Sequence, residues 1–190
     1  MFMPPTIWPF ALALVVAYLL GGLSPGYWLV RRRTGQDLRA YGSGATGATN
    51  AARLLGRWGF VTVLVLDALK GVVAVLIARA LGVRDGWEFT VATAAIAGHV
   101  WPPQLGFRGG KGLGPLLGAW IILAPIALLA SSGVAALMWG LTGRKIAGGM
   151  IGAAVLVPVT GMRTDALPAL IATGVTFVIV AVAHNAKVRA

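Results

Sequence analysis

The sequence predicts an all-α integral membrane protein of seven transmembrane helices, some short or broken, with the N-terminus outside and the C-terminus in the cytoplasm. Three observations carry this. The 190 residues are 58% hydrophobic and 11% charged, whereas a soluble domain is about 45–50% apolar and about 25% charged. Apolar runs approaching the roughly 20 residues of a membrane span recur along the chain. The 16 Lys and Arg residues, against 5 Asp and Glu, gather in alternate loops. A net charge of +11 suggests nucleic acid, but the exposed polar surface for that is missing, so no nucleic-acid partner is expected. Such apolar content also excludes disorder. There is no Cys, and His99 and His184 are the only histidines. Disulfides, iron–sulfur clusters and thiol catalysis are therefore excluded, and neither a metal nor a cofactor is expected.

The first span is 7–30, interrupted by Gly21, Gly22, Ser24, Pro25 and Gly26 and stopped by Arg31, Arg32 and Arg33. It lacks a basic n-region and a clear cleavage site, so it reads as a retained span rather than a signal peptide. A polar, glycine-rich stretch follows over 34–57. The second span is 59–81, and 83–88 forms a short polar turn before a shorter third span, 89–101. Residues 102–112 make a second glycine-rich, basic loop. The run 113–141 has 29 residues, long for one span and short for two, with the helix breaker Pro125 near its middle. A basic turn, 142–145, precedes spans 146–160 and 166–183, which are separated by 161–165, and the tail is 184–190. One polytopic domain, 1–190, is expected.

Charge resolves the ambiguous run. Cytoplasmic loops are enriched in Lys and Arg. Placing all four basic segments (31–57, 102–112, 142–145 and 184–190) in the cytoplasm makes 113–141 cross twice and gives seven spans. Twelve of the 16 basic residues are then inside, Arg84 and Arg163 are outside, and Lys70 and Arg79 lie within the second span. Six of the seven Trp (Trp8, Trp28, Trp58, Trp87, Trp101 and Trp139) fall near span ends, as interfacial anchors do.

The first loop reads Gly42-Ser43-Gly44-Ala45-Thr46-Gly47-Ala48-Thr49-Asn50-Ala51-Ala52-Arg53. Small residues let backbone N–H groups approach an anion, and a following helix N-terminus adds a favourable dipole. Ser43, Thr46 and Thr49 offer hydroxyls, and Arg53 a planar fork for phosphate or carboxylate. The bland reading is a small-residue loop for tight packing. In the second loop Gly109, Gly110 and Gly112 bracket Lys111, so the ammonium can meet a phosphate beside exposed N–H groups. The P-loop spacing is absent, and the alternative is a positive anchor, a role that suits Arg108 better than Lys111. Asp67 and Lys70, three apart, share one helical face within a span. Such groups pair or face the protein interior, so a structural ion pair competes with a role in shaping the site or relaying a proton. His184 and Asn185 reach the same side as both loops, and His99 precedes the second loop as backbone support. Together these residues outline a cationic pocket for phosphorylated ligands beside an apolar body able to take an acyl chain.

Gly42–Arg53 (GSGATGATNAAR), Asp67–Gly71 (DALKG), Gly98–Gly112 (GHVWPPQLGFRGGKG) and His184, in this order, resemble the PlsY family of bacterial acyl-phosphate:glycerol-3-phosphate acyltransferases. The resemblance covers nearly the whole chain. It implies a multi-pass protein of the bacterial cytoplasmic (inner) membrane, with its active site facing the cytoplasm, acting in phospholipid biosynthesis. Its partners are then acyl phosphate, glycerol 3-phosphate and the lipid bilayer, and its products are lysophosphatidic acid and phosphate. It implies catalytic roles for Ser43, Arg53, Lys111 and His184, and substrate contacts from Gly42, Gly44, Thr46, Gly47, Thr49, Asn50, Gly109, Gly110, Gly112 and Asn185. Asp67, Lys70 and His99 support the site. Either the leaving phosphate or His184 takes the hydroxyl proton. This chain departs from the family pattern at Ala45, at Leu113-Gly114-Pro115, at Ala147 and at Lys187. A paralogue with another acceptor, a protein without turnover and a phosphate-ester transporter are the competing readings; no convincing internal repeat supports the last.

Overall fold

The computed structural model describes residues 5–162, 164 and 166–185, with the side chains at 145–147 outside the description. The expectations for Ala147, Lys187 and Arg163 therefore lie outside the described residues. Every element among those described is helical. They are α1 (Ile7–Gly22), α2 (Pro25–Thr34), α3 (Ala48–Ala80), α4 (Trp87–Val100), α5 (Leu113–Leu123), α6 (Pro125–Thr142), α7 (Lys145–Gly161) and α8 (Leu167–Asn185), with 3-10 turns at Leu38–Ala40 and Pro103–Leu105. Four stretches are long and apolar enough to cross a bilayer by themselves: Ile7–Thr34, Ala48–Ala80, Pro125–Thr142 and Leu167–Asn185.

Breaks fall where the sequence supplies a breaker. Pro25 starts α2, so the first predicted span is two helices, and the arginine cluster 31–33 lies inside α2 rather than beyond it. Pro125 likewise starts α6, and the run 113–141 is two helices, α5 and α6. The second span begins eleven residues earlier than hydropathy indicates, at Ala48, and its polar first turns are separated from the apolar body at Gly56 (φ 67°, ψ −164°). Hydropathy misses those turns because they pack against loops rather than lipid. Arg79 lies within α3, as expected for the second span, at its far end, where it faces Glu88 across the turn, Nε to Oε1 3.9 Å.

α4 is the centre of the bundle and packs on α1, α3, α5 and α8. Lipid tails give no hydrophobic drive for helix association, so close approach through small residues takes its place. Gly21 and Gly98 allow this on the α1–α4 seam, where a methyl group would overlap the Ala95 and Tyr18 carbonyls. Ala13, Ala17, Ala74, Ala78 and Ala95 are fully buried there. On the other side of α4 lies a bulkier core of Val75, Phe89, Ile96, Leu116, Trp120 and Val180, with Phe89 edge-on to Trp120 at 5.6 Å. Leu129, Leu141, Leu167 and Trp8 project outward, as lipid-facing residues do.

Candidate active site

Pro25 leaves the last carbonyls of α1 without helical donors, and a buried carbonyl must find one elsewhere. Three side chains supply them. Lys70 Nζ donates to Gly21 O at 2.9 Å and to Leu23 O at 2.6 Å, while Gln104 Nε2 and Ser24 Oγ donate to Gly22 O. Lys70 also lies 2.9 Å from Asp67 Oδ1, and both side chains are almost fully buried. The expected ion pair is thus present, and the same ammonium stitches α3 to the break between α1 and α2. His99 completes the cluster, with Nδ1 3.0 Å from Lys70 Nζ.

The first loop is built around Asn50. Its Nδ2 donates its two N–H groups, one of them shared, to Leu38 O, Tyr41 O and Ala45 O at 2.9–3.1 Å, and its Oδ1 accepts from Ser43 N at 3.3 Å. The side chain, 2% exposed, is fully engaged inside the loop, so the structure places Asn50 where it shapes the backbone that carries Ser43. In Asn50→Asp an oxygen replaces the amide donor among three carbonyls. We expect a loss of at least about 2 kcal/mol of stability, read as a lowered unfolding midpoint in detergent, together with loss of activity. Gly42 (φ 55°) turns beneath Asn50 and the Arg53 guanidinium, and a side chain there would overlap both. Arg53 is exposed above it. Beside this loop Arg39 pairs with Asp37 at 2.7 Å and holds that carboxyl below the usual carboxylate range.

The second loop doubles back on the end of α4: Gly110 N donates to His99 O at 2.9 Å and Gly109 N to Val100 O at 3.1 Å. Gly110 is required there because a methyl would overlap the His99 ring. Three ties fix the loop: Thr46 N to Gly109 O at 3.2 Å, Arg39 Nη1 to Leu105 O at 2.9 Å and Tyr18 Oη to Trp101 O at 2.7 Å. Sequence reading misses Tyr18, Arg39 and Gln104 as parts of the site, because each acts on a backbone oxygen at least 66 residues away.

These ties create a cavity of about 710 Å³ lined by Gly42, Ser43, Gly44 and Ala45 of the first loop, Gly109, Gly110 and Lys111 of the second, and Val182 and Ala183 of α8. The sequence-predicted site residues divide accordingly. Ser43, Lys111 and four of the glycines meet at the cavity. A smaller chamber of about 100 Å³, sharing Ala45 and Lys111 with it, is lined by Gly47, Asp67 and His99. Gly112 caps α5 (φ 83°) in packed surroundings. Thr49 is exposed on the first turn of α3. His184 adjoins the cavity through Ala183 and is half-buried; its Nδ1 lies 2.9 Å from Val180 O. A carbonyl can only accept, so Nδ1 carries the proton and Nε2 of the neutral ring keeps a lone pair. Asn185 lines an apolar groove of about 410 Å³ with Phe177, Val178, Ala181 and Val182; Val182 borders both groove and cavity.

Thr46 is nearly inaccessible, and its Oγ1 has no hydrogen-bond partner among the described residues. Its backbone, not its hydroxyl, joins the two loops. Thr46→Val should therefore keep full activity and gain up to about 1 kcal/mol of stability by removing an unsatisfied hydroxyl. A hydroxyl that binds substrate predicts instead a raised KM in the same variant.

At the opposite end of α4 a cavity of about 360 Å³ is lined by Asp85, Glu88, Ala124 and Thr160, among others. The two ends thus differ in charge: cationic loops at one, and at the other Asp85 and Glu88 balanced by Arg84 and Arg79.

Comparison with known proteins agrees with this architecture. A sequence profile described as glycerol-3-phosphate acyltransferase matches residues 11–190. A glycerol-3-phosphate acyltransferase of Geobacter sulfurreducens is 42% identical over 177 residues, covering 92% of this chain and 89% of that one. Glycerol-3-phosphate acyltransferase 1 of Desulfitobacterium hafniense is 46% identical over 126 residues, covering 66% of this chain and 62%, less than two thirds, of that one. The crystal structure of PlsY, an integral membrane glycerol 3-phosphate acyltransferase, in its glycerol 3-phosphate form superposes with a TM-score of 0.83 at 30% identity, covering 92% of this chain and 88% of that one. Its lysophosphatidic acid form gives 0.81 at 27% identity, covering 93% and 88%. The all-helical architecture is therefore that of a multi-pass membrane protein, and, with the profile and the relatives spanning both loops and α8, the chain belongs to the glycerol-3-phosphate acyltransferase family.

Proposed function

We propose that this protein transfers a fatty acyl chain from acyl phosphate to the 1-hydroxyl of glycerol 3-phosphate at the cytoplasmic face of a bacterial inner membrane. The observation that carries the reading is the cavity where Ser43, Gly109–Gly110 and Lys111 meet the end of α8, with an apolar groove on the other side of Val182. One region suits two phosphate-bearing groups, the other a hydrocarbon chain. Seven crossings, counting α1 and α2 as one, bring the basic loops to one side, and enrichment of Lys and Arg in cytoplasmic loops makes that side the cytoplasm.

The hydroxyl oxygen attacks the acyl carbonyl carbon, the bond from that carbon to the phosphate oxygen breaks, and inorganic phosphate leaves. Acyl phosphate is already activated, so the protein's work is to hold two anions together and stabilise charge developing on the carbonyl oxygen and the leaving group. Lys111, Arg53 and the loop N–H groups serve that end, and Ser43 orients the ester. The Nε2 lone pair of His184 accepts the hydroxyl proton, with the leaving phosphate as the rival acceptor. Purified protein given palmitoyl phosphate and glycerol 3-phosphate should release phosphate and lysophosphatidic acid in equal amounts. No product, under conditions where the Geobacter sulfurreducens relative turns over, overturns the proposal; product only with another polyol phosphate reassigns the acceptor.

A further inference from the structure

The small chamber beside the cavity holds a donor that this mechanism does not use. An ammonium has three N–H groups and no lone pair. Lys70 directs its three at Gly21 O, Leu23 O and His99 Nδ1, and its contact with Asp67 Oδ1 at 2.9 Å is an ion pair without a hydrogen bond. Facing a donor-only group at 3.0 Å, Nδ1 has to be the acceptor, since a proton there would set two donors against each other. Asp67 Oδ1 lies farther from Nδ1, at 3.5 Å, and is held by Lys70. The proton of the neutral His99 ring is therefore on Nε2, the reverse of the His184 tautomer.

His99 Nε2 makes no hydrogen bond with any described residue. The ring is 3% exposed, turns Nε2 toward Gly110 and lines the small chamber that Lys111 separates from the main cavity. The ring borders that chamber rather than being sealed in the core, so the N–H can take an acceptor that enters there, and a largely buried donor is rarely left unmet. Lys111 supplies a cation beside it, so an anionic oxygen is the acceptor that both groups suit.

We propose that His99 is a further substrate-contacting residue: its Nε2–H, held in that tautomer by Lys70, donates to a phosphate oxygen of the ligand gripped by Lys111. The ligand's identity rests on the proposed function, whereas the tautomer does not. The test uses untagged protein labelled with 15N-histidine in nanodiscs, which presents two ring spin systems. At neutral pH one ring should read as Nε2–H and one as Nδ1–H, and His184→Gln should remove the second. Adding glycerol 3-phosphate, or inorganic phosphate, should move the His99 Nε2–H resonance downfield; adding glycerol should not. Calorimetry on the same sample reports whether the anions bind. Binding with an unmoved Nε2–H, or a His99 ring protonated on Nδ1, overturns the contact alone; no binding of either anion overturns it together with the proposed function. Because His99 is buried, the wild-type spectra decide the matter. Among variants that fold, His99→Asn should raise KM for glycerol 3-phosphate about tenfold or more, the loss of one charge-assisted hydrogen bond. His99→Gln, whose amide reaches nearer Nε2, should restore part of it.

Discussion

Lys111→Ala is expected to lower kcat for acyl transfer by roughly 10²–10³-fold, the range found when a preorganised donor to developing charge is removed. Lys111 is the cation on the boundary between the main cavity and the inner chamber, and its ammonium acts electrostatically on His184. Its backbone is fixed by the doubled-back glycines, so the flexible lysine stem starts from one place. Lys111→Arg should recover little, because a broad planar fork does not reproduce a compact point charge in a confined space. Arg32→Ala is the control: it removes the same unit of charge from the same side at an exposed position on α2. Phosphate release and lysophosphatidic acid formation measure all three. Near-wild-type rates for Lys111→Ala would take Lys111 out of the site; equal losses in Lys111→Ala and Arg32→Ala would assign the effect to general attraction of anions.

The second large effect concerns stability. Lys70→Met leaves the Asp67 carboxylate buried without its cation and strips donors from Gly21 and Leu23. Breaking one side of a buried pair costs about 3–5 kcal/mol, and the unsatisfied carbonyls add to that. Asp67→Asn should cost less, since the ammonium keeps two carbonyls and His99. Adding Asp67→Asn to Lys70→Met should recover part of the loss, because the stranded charge is gone. Unfolding midpoints in one detergent rank the three. If Lys70→Met is as stable as wild type, the ammonium does not hold the α1–α2 break.

Membership of an all-α membrane class was legible from composition, and the spans from hydropathy. The division of 113–141 into two helices was legible from charge and Pro125. The meeting of 42–47 with 109–111 was foreseen only as a shared side of the membrane, since the hydrogen bond between Thr46 and Gly109 joins backbone to backbone and leaves no trace in residue type. Asn50 shows the same limit differently: an amide beside hydroxyls and glycines looks like a ligand, and only the loop geometry assigns it to three carbonyls. Lys70 was expected to pair with Asp67, but its larger duty is to carbonyls exposed by a proline 45 residues earlier. Periodicity cannot reveal that, because every residue has a carbonyl.

The shortness of α4 has an energetic consequence for the proposed reaction. Its 14 residues extend about 21 Å, well below the roughly 30 Å of hydrocarbon in a bilayer, and the rim of the cavity at its end carries exposed Phe107 and Val182. Under the proposed function, that shortness would sink the reacting centre below the lipid surface, at a depth that acyl chains already occupy. Raising a chain into water costs about 0.8 kcal/mol for each methylene, so a site only four methylenes higher would forfeit about 3 kcal/mol of substrate affinity. The protein would then lower the water-soluble ester into the bilayer instead of lifting the lipid out.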